Sequence, residues 1–168
     1  MRWLGFAVGL VAVLLIHSFL DTFLPGALGF LDPYLVLVVY FASGGNLVGT
    51  IAAGVVTGLV QDAFSLSIFG LHAFSLTLSG YLVALLNNKI VLRGAGAFAA
   101  CVAGAILLNE ATIAVLNNLL VSETVTLFDR RLVLRILLTS GAGAVVHQAL
   151  HTLQARRVRT EGPVRRRW

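Results

Sequence analysis

The stretch Gly58-Leu59-Val60-Gln61-Asp62-Ala63-Phe64-Ser65-Leu66-Ser67-Ile68-Phe69-Gly70-Leu71-His72-Ala73-Phe74-Ser75-Leu76-Thr77-Leu78-Ser79-Gly80-Tyr81 sets one acid and one histidine amid hydrocarbon. It joins two apolar runs, Leu47 to Val60 and Leu71 to Leu86, through a turn that ends on Gly70. A charge between membrane-length runs is expensive unless structure or function requires it, so Asp62 and His72 mark where the chain turns back.

The whole chain agrees with that reading. Of its 168 residues, 58% are hydrophobic and only 11% charged, with a mean hydropathy of +0.94; soluble domains carry charge on roughly a quarter of their residues. Each crossing of a bilayer core about 30 Å thick takes about 20 apolar residues, so the chain holds five or six spans with short loops. The expectation is an all-α polytopic membrane protein, a single helix bundle over 1–155 followed by a basic cytoplasmic tail over 156–168. The net charge of +5 would suggest nucleic acid in a soluble protein. Here the arginines cluster outside the spans, so they report topology rather than a nucleic-acid partner. Cys101 is single and lies in an apolar run, which excludes an intramolecular disulfide and leaves a cysteine zinc site unsupported.

The first span runs from about Trp3 to Leu20. Arg2 and the apolar run to Ile16 resemble a signal peptide, but no small-x-small cleavage site follows, so the run is read as a retained helix. Asp32-Pro33 starts the second, since Asp suits the N-cap and proline the first helical position. That span, Pro33 to Ala42, is short, and Ser43-Gly44-Gly45-Asn46 turns into a third from Leu47 to Val60. The others run from about Leu71 to Leu86, Ala95 to Leu120 and Leu132 to His151. Six spans place both termini in the cytoplasm, with Arg2, Lys89, Arg93 and the tail, while Asp21, Asp32, Asp62, Glu123 and Asp129 fall on or near the outer side. Arg130, Arg131 and Arg135 break the positive-inside pattern. Fusing the second and third spans gives a five-helix alternative with Arg2 outside.

Small residues recur at helix-packing spacing: Gly5 with Gly9, Gly45 with Gly49, Gly54 with Gly58, and Ala100 with Gly104. Such pairs let backbones approach closely, either within one bundle or against another membrane protein or a second copy in a homodimer.

Few residues could carry chemistry. Glu110 is the deepest acid, near mid-membrane, with Asn109 and Thr112 beside it in sequence; it is either a structural hydrogen-bonded glutamate or an interior polar site. Arg135 is expected to snorkel to the outer surface rather than reach Glu110. His147 and His151 share a helix face at i, i+4, yet two ligands do not make a metal site, and packing near the interface is expected for them and for His17. No nucleophile has an activating base, and no Gly-x-Ser-x-Gly elbow or phosphate loop is present, so no catalytic residue, cofactor or metal is assigned. The arginine tail is attracted to anionic membrane lipids.

The pattern Gly58-Leu59-Val60-Gln61-Asp62, Gly70-Leu71-His72-Ala73 and Gly80-Tyr81-Leu82-Val83 resembles the family of the rod-shape-determining protein MreD, and Pro33 to Val38 resembles that family's second span. The resemblance implies a non-enzymatic inner-membrane component of the bacterial elongation machinery. Its implied partners are MreC, the actin-like MreB, the glycosyltransferase RodA and a penicillin-binding transpeptidase, and its role is rod shape during lateral peptidoglycan synthesis. It also implies a fold similar to the membrane-embedded substrate-binding subunits of energy-coupling-factor transporters. On that basis Gly58, Asp62, Gly70, His72, Gly80 and Tyr81 are expected to order the turn or contact a partner. The alternative is a binding subunit for a vitamin or metal, with Glu110, Asn109 and His17 facing a pocket.

Overall fold

The computed structural model describes residues 2–24, 26, 30–65, 68–89, 94–121 and 130–160. Six helices follow one another: α1 (Arg2–Phe23), α2 (Pro33–Ala42), α3 (Leu47–Phe64), α4 (Leu71–Lys89), α5 (Ala95–Val121) and α6 (Arg130–Thr160), with no strand among the described residues. Four of them contain stretches long and apolar enough to cross a membrane: Trp3–Phe23, Leu47–Phe64, Gly96–Leu119 and Leu132–Ala149. The chain is an all-helical polytopic membrane protein.

The short second helix has a specific place in this architecture. Ten residues rise only about 15 Å, half the thickness of a bilayer core. Asp32 caps α2 and Pro33 occupies its first turn, as the sequence predicts, and eight of its ten residues are buried. It packs against each of the other five helices. Tyr34, Leu35, Val38 and Val39 form the centre of the main apolar cluster, with Val13 of α1, Leu76 and Val83 of α4, and Val102 and Ile106 of α5 around them. An element enclosed by protein does not need to match the bilayer in length.

The turn after α2 separates it from α3, which excludes the fused five-helix arrangement. The Ser43 hydroxyl donates to the Tyr40 carbonyl at 2.6 Å, and Asn46 caps α3 by accepting from the Gly49 amide at 3.1 Å. Asn87, near the end of α4, donates to the Ser43 carbonyl at 2.6 Å and ties this corner together.

Helices α3 and α4 pack most extensively, and glycine makes that possible. A Cβ on Gly54 would lie 2.7 Å from Thr77 Cα, and one on Gly58 would collide with the backbone at His72 and Ala73. This small-residue pair therefore serves packing inside the bundle. Gly5 and Gly104, by contrast, face open space.

The last helix is longer than expected. It continues past His151 to Thr160, so Arg156, Arg157 and Arg159 extend it. Arg93, Glu123, Asp129 and residues 161–168 lie outside the described residues, as do the side chains of Arg2, Lys89, Arg130, Arg131 and His151.

Candidate functional site

Two polar constellations lie at the end of the bundle where α1, α3 and α5 finish and α2, α4 and α6 begin. The first is built on Asp62, in the last turn of α3. The first N–H groups of any helix have no intrahelical partner, and α4 begins after Gly70, which has no side chain to cap it. Asp62 fills that role from the preceding helix. Its Oδ2 accepts from the amides of Gly70 at 2.9 Å and Ala73 at 3.2 Å, and its Oδ1 accepts from the amide of His72 at 3.0 Å. His72 Nδ1 lies 2.8 Å from the same Oδ1. A carboxylate only accepts, so that nitrogen carries the proton. The acid is buried, and its negative charge sits at the positive end of α4, where the helix dipole favours it. Gly70 adopts φ of +97°, a left-handed conformation open to glycine that turns the chain into this grip.

Gly80 and Tyr81 do not join that cluster. Tyr81 lies nine residues beyond His72 along α4, about 14 Å away. Gly80 packs instead against Val38 and Thr50, while Tyr81 is exposed on the flank.

The second constellation corrects one expectation. Arg135 does not snorkel outward; its Nη2 donates to Asp32 Oδ2 at 2.9 Å and its Nη1 to Glu110 Oε1. The side chains of Asp32, Arg135 and Glu110 are 1%, 20% and 26% exposed, so the guanidinium bridges two acids within the protein. Asp32 is buried in the same junction. Its amide donates to Thr139 Oγ1 at 3.2 Å, and the Thr139 hydroxyl donates to the Phe30 carbonyl at 3.3 Å. Thr139 is seven residues inside the apolar stretch that begins at Leu132, about 10 Å along the helix. The non-helical backbone before α2 thus lies against the apolar stretch of α6. Backbone polar groups outside a helix need partners supplied by protein in an apolar setting, and Thr139 supplies them here.

Asp32 serves three partners at once, since Oδ1 also accepts from the Leu35 amide at 3.0 Å. Asn109 is buried one position before Glu110, and its Oδ1 has no partner among the described residues. His17 packs between the rings of Tyr34 and Phe64, at centroid distances of 5.4 and 5.6 Å. His147 stacks on Phe98 at 4.6 Å. Among the described residues no group of three or more His, Cys, Asp or Glu is placed to hold a metal.

Sequence reasoning treated Asp32 only as a cap and missed Thr139 and Arg135 as partners. The signal was present in Arg135 itself: an arginine inside an apolar run requires a counter-charge, and only a few acids are available to supply one.

The fold and these interior ion and capping networks define a polytopic helical membrane protein whose polar side chains hold its own helices together. The family model for the rod shape-determining protein MreD matches residues 1–147. The chain belongs to that family, and it is a cell-shape-determining membrane protein. No curated protein and no solved structure matches it.

Proposed function

We propose that the chain is a non-enzymatic scaffold of the bacterial elongation machinery, which docks the transmembrane segment of MreC on its α3–α4 hairpin. In this reading it works in the cytoplasmic membrane with both termini inside, together with RodA, a penicillin-binding transpeptidase and MreB, in support of lateral peptidoglycan synthesis. The observation that carries the proposal is the fixed hairpin. Asp62 holds the first turn of α4, and Gly54 and Gly58 let α4 lie directly on α3. The outward side chains Val55, Leu59, Phe74 and Tyr81 are exposed on the resulting rigid pair. A rigid apolar face suits association within lipid, where close packing supplies the attraction.

The test is co-purification of MreC with the full-length protein carrying Phe74→Ala and Tyr81→Ala. Loss of MreC with unchanged expression and thermal stability supports docking at this face, and depletion of the protein should abolish rod shape. Full retention of MreC by the double variant counts against it.

The cavity beside Asp32 and Arg135 does not favour the vitamin-binding alternative. It has a volume of about 50 Å³, whereas small-molecule sites typically measure about 300–1,000 Å³.

A further inference from the structure

The cavity beside Asp32 is small, but its lining is unusual. His17, Leu31, Asp32, Pro33, Tyr34, Gln61 and Arg135 surround it. Four of these residues carry a buried polar atom without a protein partner among the described residues: His17 Nδ1, Tyr34 Oη, Gln61 Oε1 and Arg135 Nε. Tyr34 is 1% exposed. Buried polar atoms in native proteins find partners, and leaving one bare costs about 1–3 kcal/mol. Four residues with such atoms line one cavity, which points to a ligand.

The chemistry of the four atoms limits what that ligand is. Arg135 Nε donates, Gln61 Oε1 accepts, and the tyrosine hydroxyl and the imidazole can each do either. A cation would meet the guanidinium of Arg135 and an anion the carboxylate of Asp32, so the occupant is neutral and both donates and accepts. The volume of about 50 Å³ admits about three to five water molecules, at about 10–15 Å³ each. We propose that this cavity is a binding site for a cluster of water molecules, linking His17 of α1 and Gln61 of α3 to Tyr34 of α2 and Arg135 of α6.

The consequence concerns how α1 is held. That helix packs mainly on α2, and the window that qualifies it as a span is only 11% buried. Through the water cluster its polar residue also gains a tie to α3 and α6. The same water solvates the guanidinium that bridges Asp32 and Glu110, which lowers the cost of holding three charged groups within the span.

The test is millisecond X-ray radiolytic footprinting of the full chain in lipid nanodiscs, in water enriched in ¹⁸O. Tyr34 is out of reach of bulk solvent, so it acquires label only from water bound beside it. The expected result is rapid ¹⁸O incorporation at Tyr34 in the wild type, falling several-fold in Gln61→Leu and in His17→Phe. The second variant retains an aromatic ring against Tyr34 and Phe64, which guards against loss of the fold. A wild-type Tyr34 that stays unlabelled overturns the proposal by itself, as does labelling at an unchanged rate in a folded variant.

Discussion

Arg135 and Asp32 stand 103 positions apart in the chain and meet through a 2.9 Å contact between Nη2 and Oδ2. The pair joins the first turns of α6 to the cap of α2, and Glu110 brings α5 into the same junction. Three helices therefore depend on one guanidinium. Both of its counter-charges lie within the bundle.

Removing one partner of a buried pair costs about 3–5 kcal/mol, because the other charge is left uncompensated. Arg135→Met should destabilise by roughly that amount in SDS- or guanidinium-induced unfolding from lipid. Arg135→Lys should fall between, since an ammonium lacks the planar fork that engages both carboxylates. Combining Arg135→Met with Asp32→Asn should recover part of the loss, and additive losses would show that the two side chains are uncoupled.

Thr139→Val keeps the shape of the side chain and removes its hydroxyl. The Asp32 amide and the Phe30 carbonyl would then lose their partner inside the protein. A loss of about 1–3 kcal/mol is expected in the same unfolding measurement. Wild-type stability in this variant would mean that the backbone before α2 is satisfied some other way.

At Asp62 the two oxygens accept different amides, so conservative and radical changes should separate. Asp62→Ala should cost about 1–3 kcal/mol. Asp62→Asn should be intermediate, as one oxygen becomes an NH₂ group facing N–H donors. Hydrogen exchange should accelerate at the amides of Gly70, His72 and Ala73 while α6 keeps its protection. Uniform acceleration throughout the chain would indicate global loss rather than loss of a cap.

Gly58 and Gly104 offer a matched contrast. A methyl group on Gly58 meets the α4 backbone, whereas one on Gly104 meets nothing within 4 Å. Gly58→Ala should destabilise by about 1–3 kcal/mol or force α4 away. Gly104→Ala should be neutral or stabilising by up to about 1 kcal/mol, from improved helix propensity alone. Thermal unfolding of the two variants side by side checks this.

Much of this fold was legible in local patterns. Apolar run lengths gave five or six helices, Asp32-Pro33 marked the start of α2, and the glycine at 70 marked the turn before α4. Those features depend on neighbouring residues along the chain. The burial of Asp32 does not, because it follows from Thr139 and Arg135, which reach it from the last helix. Hydropathy places a polar residue between two apolar runs at the surface by default, and it cannot register a stretch of backbone drawn inward by hydrogen bonds from a distant helix. The gathering of His17, Tyr34, Gln61 and Arg135 was illegible for the same reason, since four different helices contribute one residue each. Asp62 and His72 stood out in sequence, but the three amides that Asp62 holds belong to backbone and leave no compositional trace.

The long separation between Asp32 and Arg135 also bears on biogenesis. Chains are made at about 5–20 residues per second, so Asp32 enters the membrane roughly 5–20 s before its arginine has been synthesised. During that interval the acid has neither the guanidinium nor Thr139 to receive it. The start of α2 therefore gains its last partners only when α6 has been made, after the rest of that helix has its neighbours in α1, α3, α4 and α5.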